Sequence, residues 1–259
     1  MYSLFKKDKL FLIAGPCVIE SKKHCLAIAR ELAAISEEVG IDLIFKASFD
    51  KANRTKWHSY RGLGILEGLT ILKQVHEETR LPVTTDVHRP EQVSMVAKVV
   101  DLLQVPALLC KQTDLITACA KTGKPMNVKK GQFLSPEGIA DIDDEVGWHD
   151  VNTIAVPTGR LMFTERGSCF GYNNLVADMT AIPIMQKTGY PIVFDASHST
   201  KREMTPTLAK AAVAAGADGL FIEVHNNPSE AKCDGASSLH IKDLKELILT
   251  CQQIYDVVH

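Results

Sequence analysis

Two sets of side chains in this 259-residue sequence carry reactive chemistry. The first is cationic: Lys46, Lys51, Arg54, Lys129, Lys130 and Arg166. If they converge, they form a local positive well in a chain whose formal net charge is only −2,. Such a well suits a small polyanion bearing phosphate and carboxylate groups. Arg grips these bidentately and Lys as a point charge. Lys130 and Lys201 read as solvated loop lysines, whereas the positions of Lys46 and Lys129 in their strands direct them inward or towards a mouth. The second set is Cys17, His198, Glu223 and Asp234. One thiolate, one imidazole and two carboxylates suit a divalent transition metal such as Fe²⁺, Zn²⁺ or Mn²⁺. Taken singly, the cysteine suits packing and the histidine a structural hydrogen bond, so spacing alone leaves both readings open.

The elements that must position these residues follow from hydrophobic patterning. Short β-rich runs recur at Phe11–Ala14, Leu43–Lys46, Val83–Asp86, Leu102–Val105, Met126–Lys129, Leu161–Glu165, Ile192–Asp195 and Gly219–Glu223. Several are apolar on consecutive residues, as expected of parallel strands covered on both faces. Helical spacing fills the gaps: Cys25, Ile28, Ala29, Leu32, Ile35 and Val39, and near the end Ile241, Leu244, Leu247, Ile248, Cys251 and Ile254,. Ser135-Pro136-Glu137 predicts a helix start,. Eight strands, each followed by a helix, predict a (β/α)₈ TIM barrel in a single domain, 1–259, with 1–9 as an N-terminal extension and 143–160 as a long loop. The turn Ala14-Gly15-Pro16-Cys17 is not the Gly-rich fingerprint of a doubly wound sheet,. A barrel keeps its chemistry at the C-terminal ends of its strands. Read in order, those ends supply Cys17, Lys46, Asp86, Gln104, Lys129, Arg166, His198 and Glu223. Closure places strand eight beside strands one and seven, so the metal-type residues become neighbours.

Composition excludes other classes. Hydrophobic residues make up 46%, enough for a large core,. Lys and Arg total 29 against 31 Asp and Glu, so no general basic field for nucleic acid exists,. No uncharged apolar run approaches the roughly 18 residues of a membrane span. Leu10 to Ala14 is shorter than the roughly 7–15 residues of a signal-peptide core. Seven cysteines, an odd number without a C-x-x-C, read as mostly buried thiols of a cytoplasmic protein,.

Several stretches resemble the 3-deoxy-D-manno-octulosonate 8-phosphate synthases. They are Ala14-Gly15-Pro16-Cys17, Phe45 to Thr55, Gln112-Thr113-Asp114-Leu115, Asn127 to Phe133, Thr164-Glu165-Arg166-Gly167, Phe170 to Asn174, and Glu223-Val224-His225. The resemblance implies a homotetrameric barrel that condenses phosphoenolpyruvate with arabinose 5-phosphate. It implies phosphoenolpyruvate at Lys51, Gln104, Lys129 and Arg166, and the sugar phosphate at Lys46, Asn53, Arg54 and Thr55. Lys46, Lys51, Asp86, Lys129 and His198 become the expected catalytic groups. Cysteine at position 17 resembles the metal-dependent branch, which carries His198, Glu223 and Asp234 along as ligands. Ser199 to Glu203 runs almost directly into the next helix. That short segment is similar to the sibling 3-deoxy-D-arabino-heptulosonate 7-phosphate synthases, which use erythrose 4-phosphate. A non-catalytic barrel that binds sugar phosphates is a further reading.

Overall fold

A computed structural model describes residues 9–142, 160–172, 174–199 and 201–259. The expected extension and the loop before strand six therefore fall almost wholly outside the described residues. Eight parallel strands close on themselves: β1 (Phe11–Gly15), β2 (Asp42–Lys46), β3 (Val83–Asp86), β4 (Leu102–Val105), β5 (Met126–Lys129), β6 (Leu161–Glu165), β7 (Ile192–Asp195) and β8 (Gly219–His225). Each pairs with the next, and β8 pairs with β1 through Phe11–Gly219 to Gly15–Glu223. The predicted (β/α)₈ barrel is therefore observed, with every strand within two residues of its expected bounds.

Alternation along the strands sorts the core into two layers. Phe11, Ile13, Ile44, Leu102, Met162, Val193 and Phe221 fill the barrel interior. The residues out of phase with them, such as Leu12, Phe45, Leu103, Phe163, Phe194 and Ile222, face outward into the larger core under the helices. Those helices are α1 (Lys22–Val39), α2 (Ile65–Thr79), α3 (Pro90–Val96), α4 (Thr113–Lys121), α5 (Ala181–Gln186), α6 (Thr205–Ala214) and α7 (Leu244–Val258).

Local chemistry sets their bounds. Ser21 Oγ accepts from His24 N at the start of α1, and Gly40 ends it in the left-handed region at φ 68°,. The buried face of α1 is Cys25, Ile28, Ala29, Leu32 and Ile35, as the spacing predicts. Ser135 Oγ accepts from Gly138 N at the expected helix start, where a 3-10 turn, Glu137–Ile139, leads directly into α-helical residues 140–142. After β6 an unexpected antiparallel hairpin intervenes, Ser168–Phe170 against Asn174–Val176. It is tied to the loop after β5 where Cys169 N donates to Gln132 O.

Candidate active site

The same alternation aims the polar strand ends. Lys46 follows Ile44 by two residues, Gln104 follows Leu102, Asp195 follows Val193 and Glu223 follows Phe221. Each continues an inward column past the last apolar layer. Lys129 reaches the same level, with its ammonium 3.7 Å from the centre of the Phe221 ring. Phe221 is thus the floor on which the charged groups stand, and burial there forces them to find partners.

They do so in two knots. Lys46 Nζ donates to Glu223 Oε1 at 2.9 Å and to the Cys17 carbonyl at 3.1 Å, and Lys51 Nζ lies 4.0 Å from the same Glu223 oxygen. Asp195 organises the second knot. Its Oδ2 takes a very short hydrogen bond from Lys129 Nζ and one of 2.8 Å from His198 Nδ1. Its Oδ1 accepts the backbone N–H groups of Ser197 and His198. Burial alone would raise the Asp195 carboxyl. The charges of His198 and Lys129 outweigh it and hold the group well below the usual carboxylate range,. Burial pulls Lys129 below the usual lysine value, with Asp195 opposing. The cations expected to form an open positive well are thus partly neutralised.

Above these knots lies a cavity of about 250 Å³. Of the expected site residues, Lys46, Lys51, Asn53 and Asp86 line one part of it. Gln104, Lys129, Arg166 and His198 line the rest. Arg166 is anchored by a 3.4 Å bond from Nη2 to the His198 carbonyl. Arg54 and Thr55 are not in the wall: Arg54 Nη1 reaches Cys233 Sγ at 2.7 Å, and Thr55 is exposed. Lys130 corrects an expectation. It is wholly buried, not a solvated loop lysine, because the carbonyls of Gly131 and Leu134 and the carboxylate of Glu165 surround its ammonium.

The metal-type residues also converge, in two overlapping groups that share Asp234. The donor atoms of His198, Glu223 and Asp234 lie within 4.8 Å of one another, as do those of Cys17, Cys233 and Asp234. Their chemistry fits a divalent cation. Glu223 Oε2 is buried without a hydrogen-bond partner, a poor state for a carboxylate oxygen unless a cation completes it,. His198 Nε2 lies 3.5 Å from that oxygen and 3.9 Å from Asp234 Oδ2. With Nδ1–H committed to Asp195, Nε2 is the nitrogen left to meet a cation once its own proton is displaced, as in carboxylate–histidine–metal arrangements,. Cys17 Sγ donates to Asp234 Oδ2 at 2.9 Å. Burial raises its thiol well above the ordinary value, so the thiolate needs an adjacent cation,. Asp234 itself sits at φ 50°, a left-handed conformation uncommon outside glycine, and its Oδ2 lies close to Cys17, Cys233 and His198,.

The sequence model of the DAHP synthetase I family matches residues 5–259. The chain belongs to this family. Among its relatives are proteins named 2-dehydro-3-deoxyphosphooctonate aldolase. The one from Trichlorobacter lovleyi is 48% identical, covering 96% of this chain and 93% of its own. Those from Cupriavidus taiwanensis and Protochlamydia amoebophila are 47% and 44% identical, covering 96% and 99% of this chain and 90% and 95% of their own.

Three further residues of this family member enter the site without having been picked out in the sequence. Asp195 is one, and its signal was available: it stands two positions beyond Val193 on the inward face of β7. His88 lines the cavity and donates from Nε2 to Asp86 Oδ2 at 2.8 Å, while Ser48 makes a very short bond to the other Asp86 oxygen. Cys233, beside Asp234, is the third. Among the described residues no helix is long and apolar enough to cross a membrane.

Proposed function

We propose that the chain condenses phosphoenolpyruvate with D-arabinose 5-phosphate and water, giving 3-deoxy-D-manno-octulosonate 8-phosphate and inorganic phosphate. The observation that carries the reading is the meeting, at one barrel mouth, of a cavity walled by Lys129, Arg166 and Gln104 with the buried donors His198, Glu223 and Asp234. The relatives' shared name, an aldolase of a phosphorylated deoxy keto-acid, supports the same carbon–carbon bond.

Lys129, Arg166 and Lys51 bind the phosphate and carboxylate of phosphoenolpyruvate, and Gln104 orients it. Lys46 and Asn53 face the sugar hydroxyls, and Arg54 with Thr55 takes the sugar phosphate from the loop after β2. In the reaction the enol carbon bonds to the acceptor's aldehyde carbon, whose oxygen gains a proton. Water adds to the carbon bearing the phosphate ester and releases a proton, and phosphate leaves by carbon–oxygen cleavage. The Asp86–His88 pair and His198, held by Asp195, stand where protons must be moved,. A divalent ion held by Cys17, His198, Glu223 and Asp234 would orient and polarise the aldehyde. Fe²⁺, Zn²⁺ and Mn²⁺ all suit this donor set.

The reading extends to a single-domain, homotetrameric, cytoplasmic enzyme. The main apolar core runs from Leu10 to Tyr255 without division, which supports one domain. Exposed Trp57, Phe170 and Tyr172 near the mouth support cover by neighbouring subunits,. Seven unpaired cysteines suit a reducing compartment,. Phosphate release from phosphoenolpyruvate, measured with arabinose 5-phosphate and separately with erythrose 4-phosphate, tests the function. A higher specificity constant for arabinose 5-phosphate is expected. A preference for erythrose 4-phosphate would assign the sibling activity, and no release with either would leave a binding protein.

A further inference from the structure

Cys233 has no part in the reaction as derived above, yet it is placed for one. Its thiol is buried, 3.3 Å from Asp234 Oδ2. The donor atoms of Cys17, Cys233 and Asp234 all fall within 4.8 Å of one another. Two thiolates, each about 2.3 Å from one Zn²⁺, can stand no more than about 4.6 Å apart, so the pair needs only small side-chain rotations to share an ion. A second observation points the same way. Arg54 Nη1 donates to Cys233 Sγ at 2.7 Å, so this sulfur already accepts from a cationic group.

We propose that Cys233 is a further ligand of the centre, giving a bound divalent ion a second thiolate beside Cys17. The proposal rests on the reading that this centre holds a metal. Asp234, common to the two groups, lets one ion draw on His198 and Glu223 as well as on the two sulfurs. The chemical consequence is selectivity. A second soft donor favours Zn²⁺, Co²⁺ and Fe²⁺, whereas Mn²⁺ is served by the carboxylates and gains little from sulfur.

The test uses the full chain, stripped of metal and titrated with Co²⁺, Zn²⁺ and Mn²⁺ in the absence of substrates. Sulfur-to-Co²⁺ charge-transfer absorption in the near ultraviolet counts the thiolates directly. We expect this band to fall by about half in both C233S and C17S and to vanish in the double variant. Zn²⁺ affinity should fall in C233S by at least the roughly tenfold that loss of an outer-layer partner causes. Mn²⁺ affinity should change far less. C233A, with thermal unfolding of each protein as a control, guards against a folding defect peculiar to serine. A wild-type band in C233S, no sulfur band in C17S, or equal losses for Zn²⁺ and Mn²⁺ would overturn the proposal. In those cases Cys233 only holds Arg54, and the metal reading survives. If the wild-type protein takes up no Co²⁺ at all, both readings fall together.

Discussion

Asp195 Oδ2 accepts a 2.8 Å hydrogen bond from His198 Nδ1, and this fixes the other imidazole nitrogen towards Glu223 and Asp234. The same oxygen holds Lys129, so one carboxylate sets both the metal-type histidine and a substrate-facing ammonium. Asp195→Asn keeps the shape but removes the charge. Metal affinity is expected to fall by roughly 10–100-fold, and the KM for phosphoenolpyruvate to rise as Lys129 loses its anchor. Competitive metal titration and steady-state kinetics on the same preparation check both halves.

Removing metal with a strong chelator should abolish turnover, and divalent ions should restore it. Unchanged activity in a preparation shown to be metal-free would contradict the proposed centre. Cys17→Asn, which cannot supply a thiolate, should bind metal far more weakly while being the mildest of the ligand substitutions for activity. Metal content against residual rate across the ligand variants gives the comparison.

Lys129→Ala and Arg166→Ala should impair use of phosphoenolpyruvate, whereas Arg54→Ala should mainly raise the KM of the sugar phosphate. The two groups differ in place: Lys129 and Arg166 line the cavity, and Arg54 lies outside its wall. Each lost charge-assisted contact is expected to cost on the order of 2–5 kcal/mol in kcat/KM for its own substrate. Damage from Arg54→Ala confined to phosphoenolpyruvate would reverse the assignment.

Gly15→Ala should destabilise the barrel where β1 meets β2. A Cβ on Gly15 would run into the backbone carbonyl of Lys46, the residue whose ammonium Glu223 holds. A loss of about 1–3 kcal/mol is expected. It would be read as a lower Tm accompanied by reduced turnover in the protein that remains folded.

Thiol labelling at pH 8 should find one fast site. Cys169 is exposed on the hairpin. The other six are buried out of reach of the reagent, and burial also pushes the thiols of Cys25, Cys119 and Cys251 up to about 12, leaving almost no thiolate there to react,. Cys169→Ser should remove the fast phase and leave the slow ones unchanged.

The sequence was legible wherever a single period governed it. Val83–Asp86, Met126–Lys129 and Ile192–Asp195 are bounded as read, because each is a short β-rich run set between longer stretches of helical spacing, and length separates the two,. Strand phase also brought Lys46, Gln104 and Glu223 to the right place. Partnerships were not legible. Lys130 looks like a loop lysine until the chain around Gly131 and Leu134 folds its carbonyls over the ammonium. His88 and Cys233 belong to the site through loops whose course no periodicity records. Asp195 lies within reach of the phase argument, because it stands two residues beyond Val193 on the inward face of β7.

The pairing of β8 with β1 has a consequence for the order in which the protein is made. Cys17 leaves the ribosome early, but the Asp234 oxygen it meets lies 217 residues further on. Glu223, which pairs across the closing seam with Gly15, is also among the last parts translated. Until β7 and β8 are made, Cys17 is the one donor of the proposed four that the emerging chain carries. The entropy of closing so long a loop is overcome only when the seam zips. In the proposed centre, metal capture would thereby wait until Asp234 has emerged and β8 has closed on β1, so a bound ion would mark a copy of the chain whose barrel is shut.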